Sequence, residues 1–120
     1  MSNFSVAFRN SAGTTILDLH GELDAHTAPD LESAILKSRE NGGHNVIING
    51  AHLDYISSAG LGVFMAFVEE FRAEDGDIKF AALQPKVYNV FDLLGFPLIF
   101  HITGSEEEAL ELFNSGVRPL

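Results

Sequence analysis

Three consecutive apolar residues, Val46, Ile47 and Ile48, lie between two stretches of helical periodicity. A short unbroken apolar run is the pattern of a strand buried on both faces. Both faces of a sheet are buried only when other elements cover them, so this run directs the chain toward layers of helix on sheet.

The neighbouring segments agree. Upstream, Leu31, Ala34, Ile35 and Ser38 fall at helical spacing after Thr27-Ala28-Pro29-Asp30. Thr27 is expected to cap that helix, Pro29 to sit in its first turn and Asp30 to meet its positive end. Gly42-Gly43 stops it. Downstream, a helix over 59–73 is expected to bury Leu61, Met65 and Val68. Phe4, Val6 and Phe8 alternate with polar residues, and Ile16, Leu17 and Leu19 follow the Ala12-Gly13 turn, which predicts a hairpin whose second strand ends near His20. Residues 49–57 read as a loop. Ile78, Phe80 and Ala82 form a further strand. Pro85 opens a helix with Val87, Val90, Phe91 and Leu94, closed by Gly95. A last strand is expected over 98–102. Ser105 and Glu108 form a capping box before Leu110, Leu112 and Phe113, and the chain after Ser115 is expected to fray. The order is β-β-α-β-α-β-α-β-α, a single α/β domain over 1–120 with its core in about 4–113 and a mixed, mostly parallel sheet.

Composition narrows the function. The 120 residues carry 7 Lys+Arg against 17 Asp+Glu, a formal charge of −10. The basic residues are scattered, so no block exists to neutralise phosphates, and neither nucleic acid nor an anionic membrane is an expected partner. With no Cys, disulfides, thiolate nucleophiles and cysteine zinc sites are excluded. The start of the chain lacks a basic segment followed by an apolar run, and the longest apolar stretches fall far short of the roughly 20 residues that span a bilayer. A cytoplasmic protein is expected. Its oligomeric state stays open.

The informative segment is Asp54-Tyr55-Ile56-Ser57-Ser58-Ala59-Gly60-Leu61-Gly62. It follows a buried strand and opens a helix, and in open α/β sheets function gathers outside the carboxyl ends of the strands. Two hydroxyls stand beside backbone N–H groups that helix geometry leaves unpaired, a setting suited to a phosphate or to plain capping. A nucleophile elbow requires Gly-x-Ser-x-Gly, and Ile56 occupies the first Gly position relative to Ser58. No Gly-Lys-Ser/Thr follows a glycine-rich loop, so a P-loop is absent. His20, Glu22, Asp24 and His26 alternate at a spacing of two, but Gly21 and the helix start at Thr27 place them in a solvated loop, and no metal or other cofactor is expected.

Gly21-Glu22-Leu23-Asp24, the strand at 46–48 and Ile56-Ser57-Ser58-Ala59-Gly60-Leu61-Gly62, in this order, resemble the STAS domain, in particular bacterial anti-sigma factor antagonists. Gln84-Pro85-Lys86-Val87 and Phe91-Asp92-Leu93-Leu94-Gly95 extend the likeness over nearly the whole chain. The resemblance implies a binding module, not an enzyme. Its partner would be an anti-sigma factor that is also a serine kinase of ATPase fold. The unphosphorylated form would bind that kinase and free a sigma factor for transcription, and a PP2C-type phosphatase would restore that form. The acceptor would be the hydroxyl two residues before Gly-Leu-Gly, here Ser58, with Ser57 as the alternative because it stands where Asp is frequent. Asp24 would lie beside it. The family commonly has Asp where Asn49 ends the third strand here. The alternatives are a STAS subunit of a lipid-transport or stress-sensing complex, and a small nucleotide-binding protein. On the first reading Asp24, Ser57, Ser58, Gly60, Leu61 and Gly62 form one partner surface, with the core as the alternative place for Leu61 because of its helical spacing with Met65 and Val68, and Gly60→Arg is expected to block binding without changing Tm.

Overall fold

The structure is a computed structural model that describes residues 3–116. Its elements are β1 (Phe4–Ser11), β2 (Thr14–Leu23), α1 (Ala28–Glu40), β3 (Asn45–Ile56), α2 (Ser58–Ala73), β4 (Asp77–Ala81), α3 (Pro85–Leu93), a 3-10 turn (Phe96–Leu98), β5 (Ile102–Thr103) and α4 (Glu106–Ser115). The strands form one sheet in the order β1-β2-β3-β4-β5. Only β1 and β2 are antiparallel, joined through Ala12 and Gly13; every later pair is parallel, each reached through a crossover. The expected order of elements and mixed, mostly parallel sheet are those observed.

Alternation along the strands decides which residues enter which layer. Leu17, Leu19, Val46, Ile48, Ile78 and Phe80 face a large core closed by Leu31 and Ile35 of α1, Phe64, Val68 and Phe71 of α2, and Val87 and Phe91 of α3. Phe80 is its hub, with Phe64, Phe91 and Phe100 edge-on at centroid distances of 4.8, 4.9 and 5.2 Å. On the opposite face Ile16, Ile47 and Ala81 are covered by α4 through Ala109, with Leu110 and Phe113 at the margin. The run at 46–48 is therefore fully buried on both faces, as its composition requires.

Four expectations need correction. Residues 49–56 are not loop, because β3 continues to Ile56: Leu53 and Ile56 enter the core, and the tip of β2 pairs with this extension through His20 with His52 and Leu23 with Ile56. The same pairing carries β2 past His20 to Leu23, with register shifts between Asp18 and His20 and between Gly21 and Glu22. The strand expected at 98–102 is replaced by the 3-10 turn and a two-residue β5. Thr27 precedes α1 but makes no side-chain cap; its hydroxyl donates to the Glu22 carbonyl at 2.8 Å instead. The fraying expected after Ser115 falls mainly on 117–120, outside the described residues.

Candidate functional site

The pair Leu23–Ile56 is the last of the β2·β3 ladder, so the loop to α1 and the start of α2 leave the sheet side by side. The Ser57 N–H donates to the Leu23 carbonyl at 2.9 Å and ties the two segments. Ser57 has extended backbone (φ −101°, ψ 171°), the conformation of a helix cap, and its Oγ accepts from the Gly60 N–H at 3.3 Å. Its carbonyl accepts the first helical bond, from Leu61 at 3.1 Å.

Ser58 differs from its neighbour. It is the first residue of α2, it is exposed, and its hydroxyl makes no hydrogen bond among the described residues. The two serines are thus separated by geometry: Ser57 is engaged in holding the helix end, and Ser58 presents its oxygen to solvent. No acidic residue lies in the first turn of α2, whereas α1 has Asp30 there and α4 has Glu106, Glu107 and Glu108. The partial positive charge of this helix end is left without a fixed anion.

Gly60 and Leu61 do not belong to the surface. Leu61 is 2% exposed and joins the main core. Gly60 is buried, and a Cβ placed on it would meet Leu23 Cγ at 2.7 Å and Ile56 Cγ1 at 3.2 Å. Its missing side chain lets α2 close on the ends of β2 and β3. Gly62 is the reverse case, exposed and with nothing within 4 Å of an added Cβ. The expectation that Gly60→Arg would spare stability therefore fails, because an arginine stem has no room there. Met65, expected in the core, is 42% exposed. Ser58, Gly62, Met65 and Glu69 consequently form a stripe along the exposed side of α2. Sequence reasoning missed Met65 because a methionine four residues after a buried leucine reads as core. The signal available was its spacing of seven from Ser58.

Asp24 is half-buried in the turn after β2, where its Oδ1 accepts from the N–H groups of His26 at 2.9 Å and Thr27 at 3.1 Å. The Thr27 N–H, above all, holds this carboxyl below the usual carboxylate range. Asp24 thus shapes the loop beside Ser57, and its charge is engaged within that loop. Asp54 and Tyr55 are exposed on the extension of β3, where Asp54 meets Gln84 at 3.1 Å and Lys86 at 3.9 Å. The alternating quartet does not converge: Asp24 is committed to its turn, and the His20 ring stacks on His52 at 4.9 Å. Among the described residues no three His, Cys, Asp or Glu side chains are grouped to hold a metal ion, and no helix is long and apolar enough to cross a membrane.

A five-stranded mixed sheet with this helix start is the form of a STAS domain. The STAS domain family model matches residues 5–109, and the chain belongs to that family. An anti-sigma-B factor antagonist of Staphylococcus epidermidis is 32% identical over 89 residues, covering 73% of this chain and 82% of that protein. Among solved structures, an anti-sigma factor antagonist from Mycobacterium paratuberculosis shares the fold with a TM-score of 0.84 at 23% identity, covering 92% of this chain and 94% of its own. The Bacillus cell fate determinant SpoIIAA in its phosphorylated form aligns with a TM-score of 0.67 at 25% identity, over 90% of this chain and 96% of its own.

Proposed function

We propose that this chain is an anti-sigma factor antagonist whose grip on its partner is released by phosphorylation of Ser58. It is a regulatory binding protein rather than an enzyme. The observation that carries the reading is the division between the two serines: Ser57 Oγ caps α2, while the Ser58 hydroxyl is exposed and unengaged among the described residues. The relative named as an anti-sigma-B factor antagonist, and the existence of a phosphorylated form of SpoIIAA, support it.

The chemistry is that of a switched surface. A phosphoserine adds about −1.5 to −2 charges and three acceptor oxygens. On the first residue of a helix it meets a partial positive charge, so the fold accepts it. A partner fitted to the neutral hydroxyl and to Gly62 and Met65 along the same stripe meets a large anion instead, and like-charge or unpaired-charge contacts at an interface cost several kcal/mol. The partner on this reading is an anti-sigma factor that is itself a serine kinase. Binding it frees a sigma factor in the cytoplasm, and a PP2C-type phosphatase resets Ser58. The single domain needs no cofactor for this.

The test is to incubate the chain with its cognate anti-sigma kinase and ATP, locate the phosphate by fragment mass spectrometry, and compare the affinities of the two forms. Phosphate on Ser58, with weaker binding of the modified form, is the expected result. Phosphate on Ser57, or equal affinities, overturns it.

A further inference from the structure

β1 is one edge of the sheet and eight residues long, whereas the other edge, β5, has two. Proteins guard outer strands by shortness, by Pro or Lys, or by a bulge. β1 reads Phe-Ser-Val-Ala-Phe-Arg-Asn-Ser and pairs with β2 in unbroken register, with none of these devices. Its one charge, Arg9, is held by Asp18 at 2.6 Å and by Glu106 of α4 at 2.6 Å.

The hairpin turn fixes which backbone groups point outward. Ala12 and Gly13 have φ of 51° and 87°, a two-residue turn that makes Ser11 and Thr14 a hydrogen-bonded pair. Alternation then gives Arg9, Ala7 and Ser5 the bonds to β2, and the Glu22 N–H continues the series to the Asn3 carbonyl at 3.0 Å. The N–H and C=O of Val6 and Phe8 therefore face away from β2, and no other described residue bonds them. The side chains of Phe4, Val6 and Phe8 line a groove of about 330 Å³ whose far wall is Asp30, Ser33, Ala34 and Lys37 of α1. Phe8 is 43% exposed there, with Lys37 Nζ 5.4 Å from its ring centre.

The charges identify the occupant. α1 links the parallel strands β2 and β3, so it runs opposite to β2 and in the same direction as β1. Asp30 and Lys37 lie two turns apart on one stripe, with the small Ser33 and Ala34 between them. A two-fold axis perpendicular to the sheet, just outside β1 at the level of Val6, sets β1 antiparallel to a copy of itself. The same axis sets α1 beside its copy on one face, also antiparallel, so that each Lys37 meets the other copy's Asp30. The pattern is self-complementary, as a two-fold interface requires.

We propose that this chain self-associates through β1 as a two-fold dimer, with Val6 beside Val6 and reciprocal Asp30–Lys37 pairs across two antiparallel α1 helices. With only one strand and one helical stripe per copy, the interface is expected to be small beside the roughly 1,200–2,000 Å² of stable ones, and the dimer to form reversibly with concentration. None of these residues belongs to the Ser58 stripe, so the dimer and the switch are read separately.

The test is sedimentation velocity at rising protein concentration on the wild type, Lys37→Glu, Asp30→Lys and an equal mixture of the two variants, with circular dichroism melts as the check on folding. Both positions are exposed, so both variants are expected to fold. The wild type is expected to dimerise, and each variant alone to bring like charges together and shift its dissociation constant at least tenfold upward. The mixture is expected to restore a heterodimer, since Asp30 then faces Lys37 and Glu at 37 faces Lys at 30. A wild type that stays monomeric throughout, a Lys37→Glu variant that dimerises unchanged, or a mixture that forms no heterodimer overturns the proposal.

Discussion

The Ser57 N–H donates to the Leu23 carbonyl at 2.9 Å, one residue beyond the point where Leu23 and Ile56 close the parallel ladder. This bond fixes the start of α2 against the loop that follows β2. The direction in which Ser58 leaves the sheet is set by main-chain geometry, and its side chain is left for other use.

Gly60 and Gly62 are expected to separate stability from binding. Gly60→Ala forces a methyl to 2.7 Å from Leu23 Cγ, and overpacking of this kind costs about 1–3 kcal/mol. Gly60→Arg is expected to unfold the chain at ordinary temperature. Gly62→Arg meets open space and replaces an exposed helical glycine by a better helix former, so it is expected to keep or raise the urea midpoint while abolishing partner binding. Denaturation curves and a pull-down on each variant check this; a Gly62→Arg protein that binds normally removes the α2 stripe from the interface.

Ser57→Ala removes the cap on the Gly60 N–H and is expected to cost about 1 kcal/mol. Phosphorylation is expected to persist in this variant, because the proposed acceptor hydroxyl is on the next residue. Urea titration and phosphopeptide mapping of one preparation report both effects. A variant of unchanged stability would show that the cap contributes nothing.

His101 predicts a pH dependence. Its Nδ1 lies 2.7 Å from the ammonium of the buried Lys79, and burial first, then the Lys79 charge, pushes the His101 pKa below its ordinary value of 6.5. The unfolded chain therefore binds a proton that the folded chain refuses. Stability is complete above about pH 6.5 and falls as pH drops from there through the folded value. His101→Gln is expected to flatten the slope of the urea midpoint just below pH 6.5; an unchanged slope assigns it to another group.

The strand–helix alternation was legible because each run was long or strongly patterned: 46–48, the stripe Leu31-Ala34-Ile35, and the Phe4-Val6-Phe8 alternation. The extension of β3 was not, because Asn49-Gly50-Ala51-His52 carries no apolar alternation and pairs only because the tip of β2 lies beside it. At Asn49 the structure supplies a reason for the unusual residue: its Nδ2 donates to Glu106 Oε1 at 3.0 Å, a bond that an aspartate could not make. At the candidate site, the exposed place of Ser58 at the start of α2 was legible from the motif. The burial of Gly60 was not, because a glycine kept for helix–strand closure and one kept for ligand approach look alike in one sequence.

A negative charge at Ser58 acts on the fold and on partner binding through different contacts. On the proposed reading, a negative charge at Ser58 weakens the interface while it favours the fold. The first turn of α2 holds no acidic residue, so an anion at Ser58 meets the positive end of the helix without a like charge in that turn. Ser58→Asp is expected to raise stability by about 0.3–1 kcal/mol at low ionic strength, an advantage that shrinks as salt screens it. The same variant is expected to bind the proposed anti-sigma kinase more weakly than wild type, and Ser58→Ala to bind it irrespective of ATP. Urea midpoints at low and high salt, beside affinities for each variant, separate the two effects. Destabilisation by Ser58→Asp would mean that the negative charge acts by loosening α2, and the release of the partner would then be a folding effect and not an electrostatic one.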